Sequence, residues 1–160
     1  SGTIALQLAK AAGVHVTAVD NPDKVEWLRE LGADDVIDYH AVDFTETGKR
    51  WDYILDMVAT RGAIKIAKAL PVGGIYRAVG GDVNILLSLL LGGLMFRLQK
   101  KSIGMLMVPT GRAVTEQVIK LAVNGQITPR LEAVLPLSAV PEALARTGRG
   151  EVKGKLVIKL

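Results

Sequence analysis

Gly2 and Asp20 carry the most legible chemistry in this chain of 160 residues. Gly2 opens an apolar helical run from Thr3 to Ala12, and Gly13 closes it. A short β-type run follows, Val14 to Val19, with Asp20 at its end. In a dinucleotide-binding βαβ unit the last glycine of G-x-G-x-x-G begins the helix, and an acid about 20 residues on meets the adenosine ribose. A carboxylate there accepts hydrogen bonds from both ribose hydroxyls and repels a 2′-phosphate. The spacing predicts the back half of such a unit, with the preceding strand and the earlier glycines expected upstream. The competing reading of Asp20 is a strand-end acid that caps the next helix.

Lys24 and Tyr39 point to different chemistry. A lysine on the helix after this strand, with a tyrosine after the following strand, would hold a 2′-phosphate by charge and hydrogen bond. Asp20 thus favours NAD, while Lys24 and Tyr39 favour NADP; taken singly, each of the last two is an ordinary surface residue. Asp56 to Ala59 and Val79 to Gly81 fall at the carboxyl ends of two further strands, where ligands of open α/β sheets bind. Gly80 and Gly81 would let backbone approach a flat ring, or would simply make a tight turn. Asp56 reads equally as a half-buried strand-end acid with a structural partner.

No acid–base machinery is visible. His15, expected in a strand, and His40, expected in a polar loop, are the only histidines, and neither has neighbours at metal-ligand spacing. G-x-S-x-G, S-x-x-K and H-E-x-x-H are all missing. The catalytic residues are therefore unassigned, and no metal site is expected. The chain has no cysteine, which excludes a disulfide framework and a thiolate nucleophile and fits a reducing cytoplasm.

Composition narrows the partners. Hydrophobic residues make up 49% of the chain, enough for a buried core. The formal charge of +4 is dispersed, apart from Arg97, Lys100 and Lys101, and aromatics are only 4%, so nucleic-acid binding is not expected. Val83 to Leu98 is very apolar but shorter than the roughly 20 residues a bilayer span needs, and Gly92, Gly93 and Arg97 interrupt it. A buried or interface helix is the expectation, with a small-molecule substrate and no membrane partner.

The elements that must position these residues alternate. Helices are expected at Thr3–Ala12, Pro22–Leu31 (with Asn21 as N-cap), Gly62–Leu70, Val83–Leu98, Arg112–Val123 and Ser138–Arg146. Strands are expected at Val14–Val19, Asp35–Tyr39, Trp51–Val58, Ile75–Val79, Ser102–Val108, Leu131–Leu135 and Lys155–Leu160. Trp51–Val58 is nearly continuously apolar, like a strand covered on both faces. Ile64, Ile66, Ala67 and Leu70 are available for packing. Such alternation predicts an α/β fold with a doubly wound parallel sheet, Rossmann-like, lacking its first strand and most of its glycine-rich loop.

Several stretches together resemble the medium-chain dehydrogenase/reductase superfamily, in its quinone-oxidoreductase (zeta-crystallin-like) branch. They are GTIALQLAKAAG (2–13), LGADDVIDY (31–39), WDYILDMV (51–58), GQITPRLEAVLPLSAVPEA (125–143) and GKLVIKL (154–160). The resemblance implies a truncated dinucleotide-binding domain over 1–108 and a returning C-terminal part of the catalytic domain over 109–160. It also implies hydride transfer between NAD(P)H and a quinone, enone or related carbonyl or alcohol. By the same resemblance Asp20, Lys24 and Tyr39 lie near the adenosine ribose, and Val58, Val79, Gly80 and Gly81 near the nicotinamide, with Gly2 at the helix start as the remaining cofactor-binding candidate. Homo-oligomers paired through the apolar helix and the Ser102–Val108 strand are expected. Two other classes stay open: a non-catalytic nucleotide-binding or structural module, and an S-adenosylmethionine-dependent methyltransferase. Against the latter, LDMVAT lacks the Asn/Asp-Pro-Pro-aromatic pattern.

Overall fold

The structure, a computed structural model, describes residues 2–107, 109 and 111–160. It divides into two compact units, 1–40 with 110–160, and 41–109.

In the first unit, α1 (Gly2–Ala11) leads to β1 (Thr17–Asp20). A 3-10 turn (Pro22–Lys24) then feeds α2 (Val25–Glu30), and β2 (Asp35–Asp38) follows. β1 and β2 pair in parallel, with Asp20 opposite Asp38. Leu6, Leu28, Leu31 and Ala33 form the buried centre, with Val16, Ala18, Trp27 and Val36 packed around it. Each buried leucine contributes about 1.5–3 kcal/mol relative to exposure, which is what holds both helices onto this sheet. The unit is completed by α5 (Arg112–Val123), β6 (Leu131–Pro136), α6 (Val140–Gly148) and β7 (Lys155–Lys159). β6 and β7 pair in parallel, with an irregularity between Leu131 and Ala133. The Gln7 amide joins the two stretches of this unit as a peptide group would. Its Nε2 donates to the Thr128 carbonyl (3.1 Å), and its Oε1 accepts from the Thr128 N–H (2.7 Å).

The second unit carries β3 (Tyr53–Asp56), α3 (Ala63–Lys68), β4 (Ile75–Ala78), α4 (Val83–Met95) and β5 (Ser102–Met105). Its sheet has the order β3-β4-β5, parallel throughout, with Asp56, Ala78 and Met105 in register. Ile66, Leu70, Tyr76 and Leu89 are fully buried. Asp82 caps α4, its Oδ1 accepting from the Ile85 N–H at 2.9 Å. Gly92 lets α4 lie against α3, because a Cβ there would collide with that of Ala63. Before β3, Asp43 accepts from the Thr45 N–H and hydroxyl and from Arg61, whose guanidinium lies 4.9 Å over the Phe44 ring. Burial pushes the Asp43 carboxyl up, but the hydrogen bonds from Thr45 and Arg61 outweigh it and hold the group at about 2.

Among the described residues every strand pair is parallel, in keeping with the expected α/β class, and the ladders form three sheets of two, three and two strands. Several local expectations need correction. β1 begins only at Thr17, leaving His15 outside the strand, exposed, with its Nε2 3.1 Å from Asp35. Asn21 stands at the N-cap position, but its side chain makes no cap bond: Nδ2 donates to the Gly150 carbonyl, and Oδ1 accepts nothing among the described residues. Ile64 is exposed: α3 is a short helix whose inner face is filled by Ala63, Ile66 and Ala67. β3 starts at Tyr53, and that residue is exposed rather than covered on both faces. The expected Ser102–Val108 strand is described to Met105; Val108 lies outside the described residues. Among the described residues no helix is long and apolar enough to cross a membrane.

Candidate functional site

At the carboxyl end of β1 the chain turns sharply, and the turn gathers three polar side chains. Asp20 Oδ1 accepts from the Asn21 N–H at 2.9 Å and faces Lys24 Nζ at 3.2 Å. The proline-led 3-10 turn sets Lys24 four residues on, so that its side chain folds back over the strand end. The lysine side chain is 11% exposed and the aspartate side chain 33%. Lys24 is thus not the surface residue its type suggests. Its charge is committed to the carboxylate. No hydrogen bond among the described residues takes up Asp20 Oδ2.

Tyr39 follows β2, and its backbone N–H donates to the Asp20 carbonyl at 3.2 Å. Its ring is exposed and meets His40 edge-on, with centroids 4.5 Å apart. Asp20, Lys24 and Tyr39 therefore share one strand-end neighbourhood, two through side chains and one through backbone. Asn21, read from the sequence only as an N-cap, is a further member of this neighbourhood. Its Nδ2 donates to the Gly150 carbonyl at 3.1 Å, while its buried Oδ1 has no partner. Only the position next to Asp20 hinted at it. Gly2 begins α1, and a Cβ there would meet nothing within 4 Å, so local space does not itself demand glycine.

The second unit brings together the remaining candidates at the ends of β3 and β4. Asp56 Oδ1 accepts from the N–H groups of Val58 (3.1 Å) and Ala59 (2.8 Å). Its Oδ2 accepts from the Tyr76 hydroxyl at 2.9 Å, and its carbonyl accepts from the Val79 N–H at 2.8 Å. Tyr76 is 0% exposed. Burial first, then the charge of Asp56 and their hydrogen bond, raise its pKa, so the phenol stays protonated and donates. Within the turn Ala59 takes a φ of +26°, a left-handed value costing a non-glycine residue about 1–2 kcal/mol. Gly81, at φ +152°, fits against this turn; a Cβ there would come 3.2 Å from both the Cβ and the carbonyl oxygen of Ala59.

The result is a rim of backbone bearing two valines, Val58 at 71% exposure and Val79 at 37%. Its exposed valine side chains are apolar. With three donors on its carboxylate, Asp56 is a structural acid and not a free base.

A parallel α/β chain with an acid at the end of a strand in its first unit has the makings of a nucleotide-binding protein. The chain belongs to the zinc-binding dehydrogenase family, whose model matches residues 31–158. It is 32% identical over 190 residues to the mitochondrial NAD(P)H oxidoreductase RTN4IP1 of Bos taurus, covering 99% of this chain and 45% of that protein. It is 24% identical over 162 residues to the chloroplast envelope quinone oxidoreductase homolog of Arabidopsis thaliana, covering 99% and 49%. The solved structure of the quinone oxidoreductase from Coxiella burnetii shares the fold, with a TM-score of 0.81 at 23% identity over 99% of this chain and 49% of the other. The chain spans about half the length of the curated relatives it matches. This membership agrees with the resemblance carried by the five sequence segments and sets aside the methyltransferase class.

The family's description names zinc. Among the described residues no group of three or more His, Cys, Asp or Glu is placed to hold a metal ion, so zinc has no ligand set there.

Proposed function

We propose that this chain is the nucleotide-binding half of an NAD(P)H-dependent oxidoreductase acting on a quinone, enone or related carbonyl or alcohol. The observation that carries this is Asp20 at the end of a parallel strand, one carboxylate oxygen held by Asn21 and Lys24 and the other without a hydrogen-bond partner among the described residues. That arrangement fits an adenosine ribose, whose hydroxyls would donate to Oδ2. The unpartnered Oδ1 of Asn21 beside it marks a polar demand that the described residues leave unmet. Gly2 would stand at the helix start, and Tyr39 would border the ribose. Val58, Val79, Gly80 and Gly81 would bear on the nicotinamide. When bound, the nicotinamide supplies hydride chemistry; the chain's own residues bind and orient it.

Between the two cofactors we favour NADH. A 2′-phosphate needs a free cation, and the Lys24 ammonium is turned inward onto Asp20. We further assign 1–108 to the dinucleotide-binding domain and 109–160 to the returning end of the catalytic domain. A compact unit does end at residue 109, near this boundary, although residues 1–40 group with 110–160 rather than with 41–109. For partners we propose a small-molecule substrate, no nucleic acid, no membrane, and a second copy of the chain. Support for the last is the exposed apolar face of α4, beside a groove of about 930 Å³ that it forms with β5. The absence of cysteine supports a cytoplasmic setting.

The test is a fluorescence titration of the full-length protein with NADH and NADPH. Saturable enhancement is expected with both, NADH binding about tenfold more tightly, which corresponds to about 1.4 kcal/mol. No response to either cofactor at millimolar concentration overturns the proposal.

A further inference from the structure

We propose that Tyr76 and Asp56 are positioning residues for the nicotinamide end of the cofactor, acting through the 57–59 turn and Gly81. The inference rests on the nucleotide-site reading given above and deepens it.

Three observations converge. A fully buried tyrosine spends its only donor on a carboxylate at the end of the neighbouring strand. An apolar pair at these two positions would fill the same space without the desolvation that a charged group brings. What the polar pair adds is geometry. Asp56 is locked from one side by Tyr76, and from the other it holds the N–H groups of Val58 and Ala59. Ala59 thereby keeps a left-handed φ that an alanine does not adopt unaided, and such strain persists only where surrounding contacts over-determine it.

The consequence travels outward in two directions. Val58, one residue before the strained position, is presented at the turn with most of its side chain exposed. Gly81 is seated directly on Ala59, so the height of the β4 turn is set by the β3 turn. Neither Tyr76 nor Asp56 needs to touch the cofactor. They fix the rim on which a nicotinamide ring would rest, whereas the adenosine end of a dinucleotide would depend on other residues.

That separation makes the proposal testable with a ligand pair. ADP-ribose carries the adenosine, the diphosphate and a ribose, but no nicotinamide. Titrations of the full-length protein with NADH and with ADP-ribose should be run on the wild type, Tyr76→Phe and Asp56→Asn. An asparagine can keep the turn N–H groups on its one oxygen only by turning its NH2 to the Tyr76 hydroxyl, so the charge-assisted bonds that the carboxylate makes to both are lost. In each variant the NADH dissociation constant should rise roughly tenfold, with ADP-ribose affinity held within about twofold. Bound-NADH emission should weaken in parallel. The double variant should be no worse than either single one, since both break the same linkage.

An unchanged NADH to ADP-ribose ratio, whether both affinities hold or both fall together, overturns the proposal. Should Tyr76→Phe fold poorly, Asp56→Asn reads the same ratio. A wild type that binds neither ligand removes the nucleotide-site reading itself, and this inference with it. A wild type that binds both, with an unchanged ratio in the variants, removes only the positioning role.

Discussion

Lys24 Nζ lies 3.2 Å from Asp20 Oδ1, and the lysine is the more deeply buried of the two. The carboxylate thus keeps a counter-charge behind it while its second oxygen has no hydrogen-bond partner among the described residues. Replacing Asp20 by serine should do two things at once. It removes the charge that repels a 2′-phosphate, and it releases the ammonium to attract one. The ratio of kcat/KM for NADPH over NADH should rise by about tenfold or more in Asp20→Ser, a change of about 1.4 kcal/mol. Steady-state kinetics with both cofactors give the answer, and an unaltered ratio rejects the assignment of Asp20.

The converse substitution reports on stability. Lys24→Met leaves Asp20 without its ion pair in a half-buried position. Breaking a fully buried pair costs about 3–5 kcal/mol, and partial exposure of Asp20 reduces that to about 1–2 kcal/mol. Urea unfolding should show a lowered midpoint with an unchanged slope. A midpoint equal to the wild type would mean that the pair contributes nothing.

Relief of backbone strain should separate stability from binding. In Ala59→Gly the left-handed φ no longer meets a Cβ, while the unfolded chain gains freedom. The net change is a stabilisation of up to about 1 kcal/mol. Cofactor affinity should nevertheless fall, because the turn carrying Val58 is less firmly fixed. Thermal melting and NADH titration on the same sample test both halves. A variant that melts lower, or binds more tightly, contradicts the account.

Asp43 sets an acid limit. Its carboxyl is held at about 2, below the ordinary value near 3.8. A depressed folded-state pKa gives stability that is complete above the unfolded value and is lost as pH falls from about 4 through about 2. The contribution, discounted for solvent screening, is on the order of 1–2 kcal/mol. Asp43→Asn should therefore be less stable near neutrality and should lose less stability than the wild type across that window. Parallel melting curves over this pH range in the two proteins would refute the assignment.

Assembly should depend on α4. Leu90 and Leu94 are 71% and 73% exposed on this helix. Leu90→Glu together with Leu94→Glu should convert an oligomer into a monomer by size-exclusion chromatography with light scattering. An identical mass for wild type and variant removes α4 from the interface.

Much of the architecture was open to inspection from local signals. Apolar periodicity, broken by residues such as Gly13, Gly32 and Gly125, located every helix and strand to within a few residues. Asp20 was found because a strand end and a fixed spacing are local properties. The burial of Lys24 is not legible in the sequence, because it depends on how the Pro22 turn folds back, and composition does not encode that. The side-chain bonds of Tyr76 and Asn21 escaped for a related reason. Their partners, Asp56 and Gly150, lie far along the chain, and a hydrogen bond between distant residues leaves no periodic trace. Ile64 followed the apolar pattern but not the packing, since a helix as short as α3 needs only one narrow face.

The first compact unit is discontinuous: residues 1–40 are completed by 110–160, through links such as Gln7 with Thr128 and Asn21 with Gly150. During synthesis, therefore, 41–109 can close its sheet as soon as it leaves the ribosome. Residues 1–40 can bury Leu6, Leu28, Leu31 and Ala33 among themselves, but the bonds that Gln7 and Asn21 make across the unit form only once 110–160 has been made. Those two amides are therefore among the last groups of this unit to be satisfied.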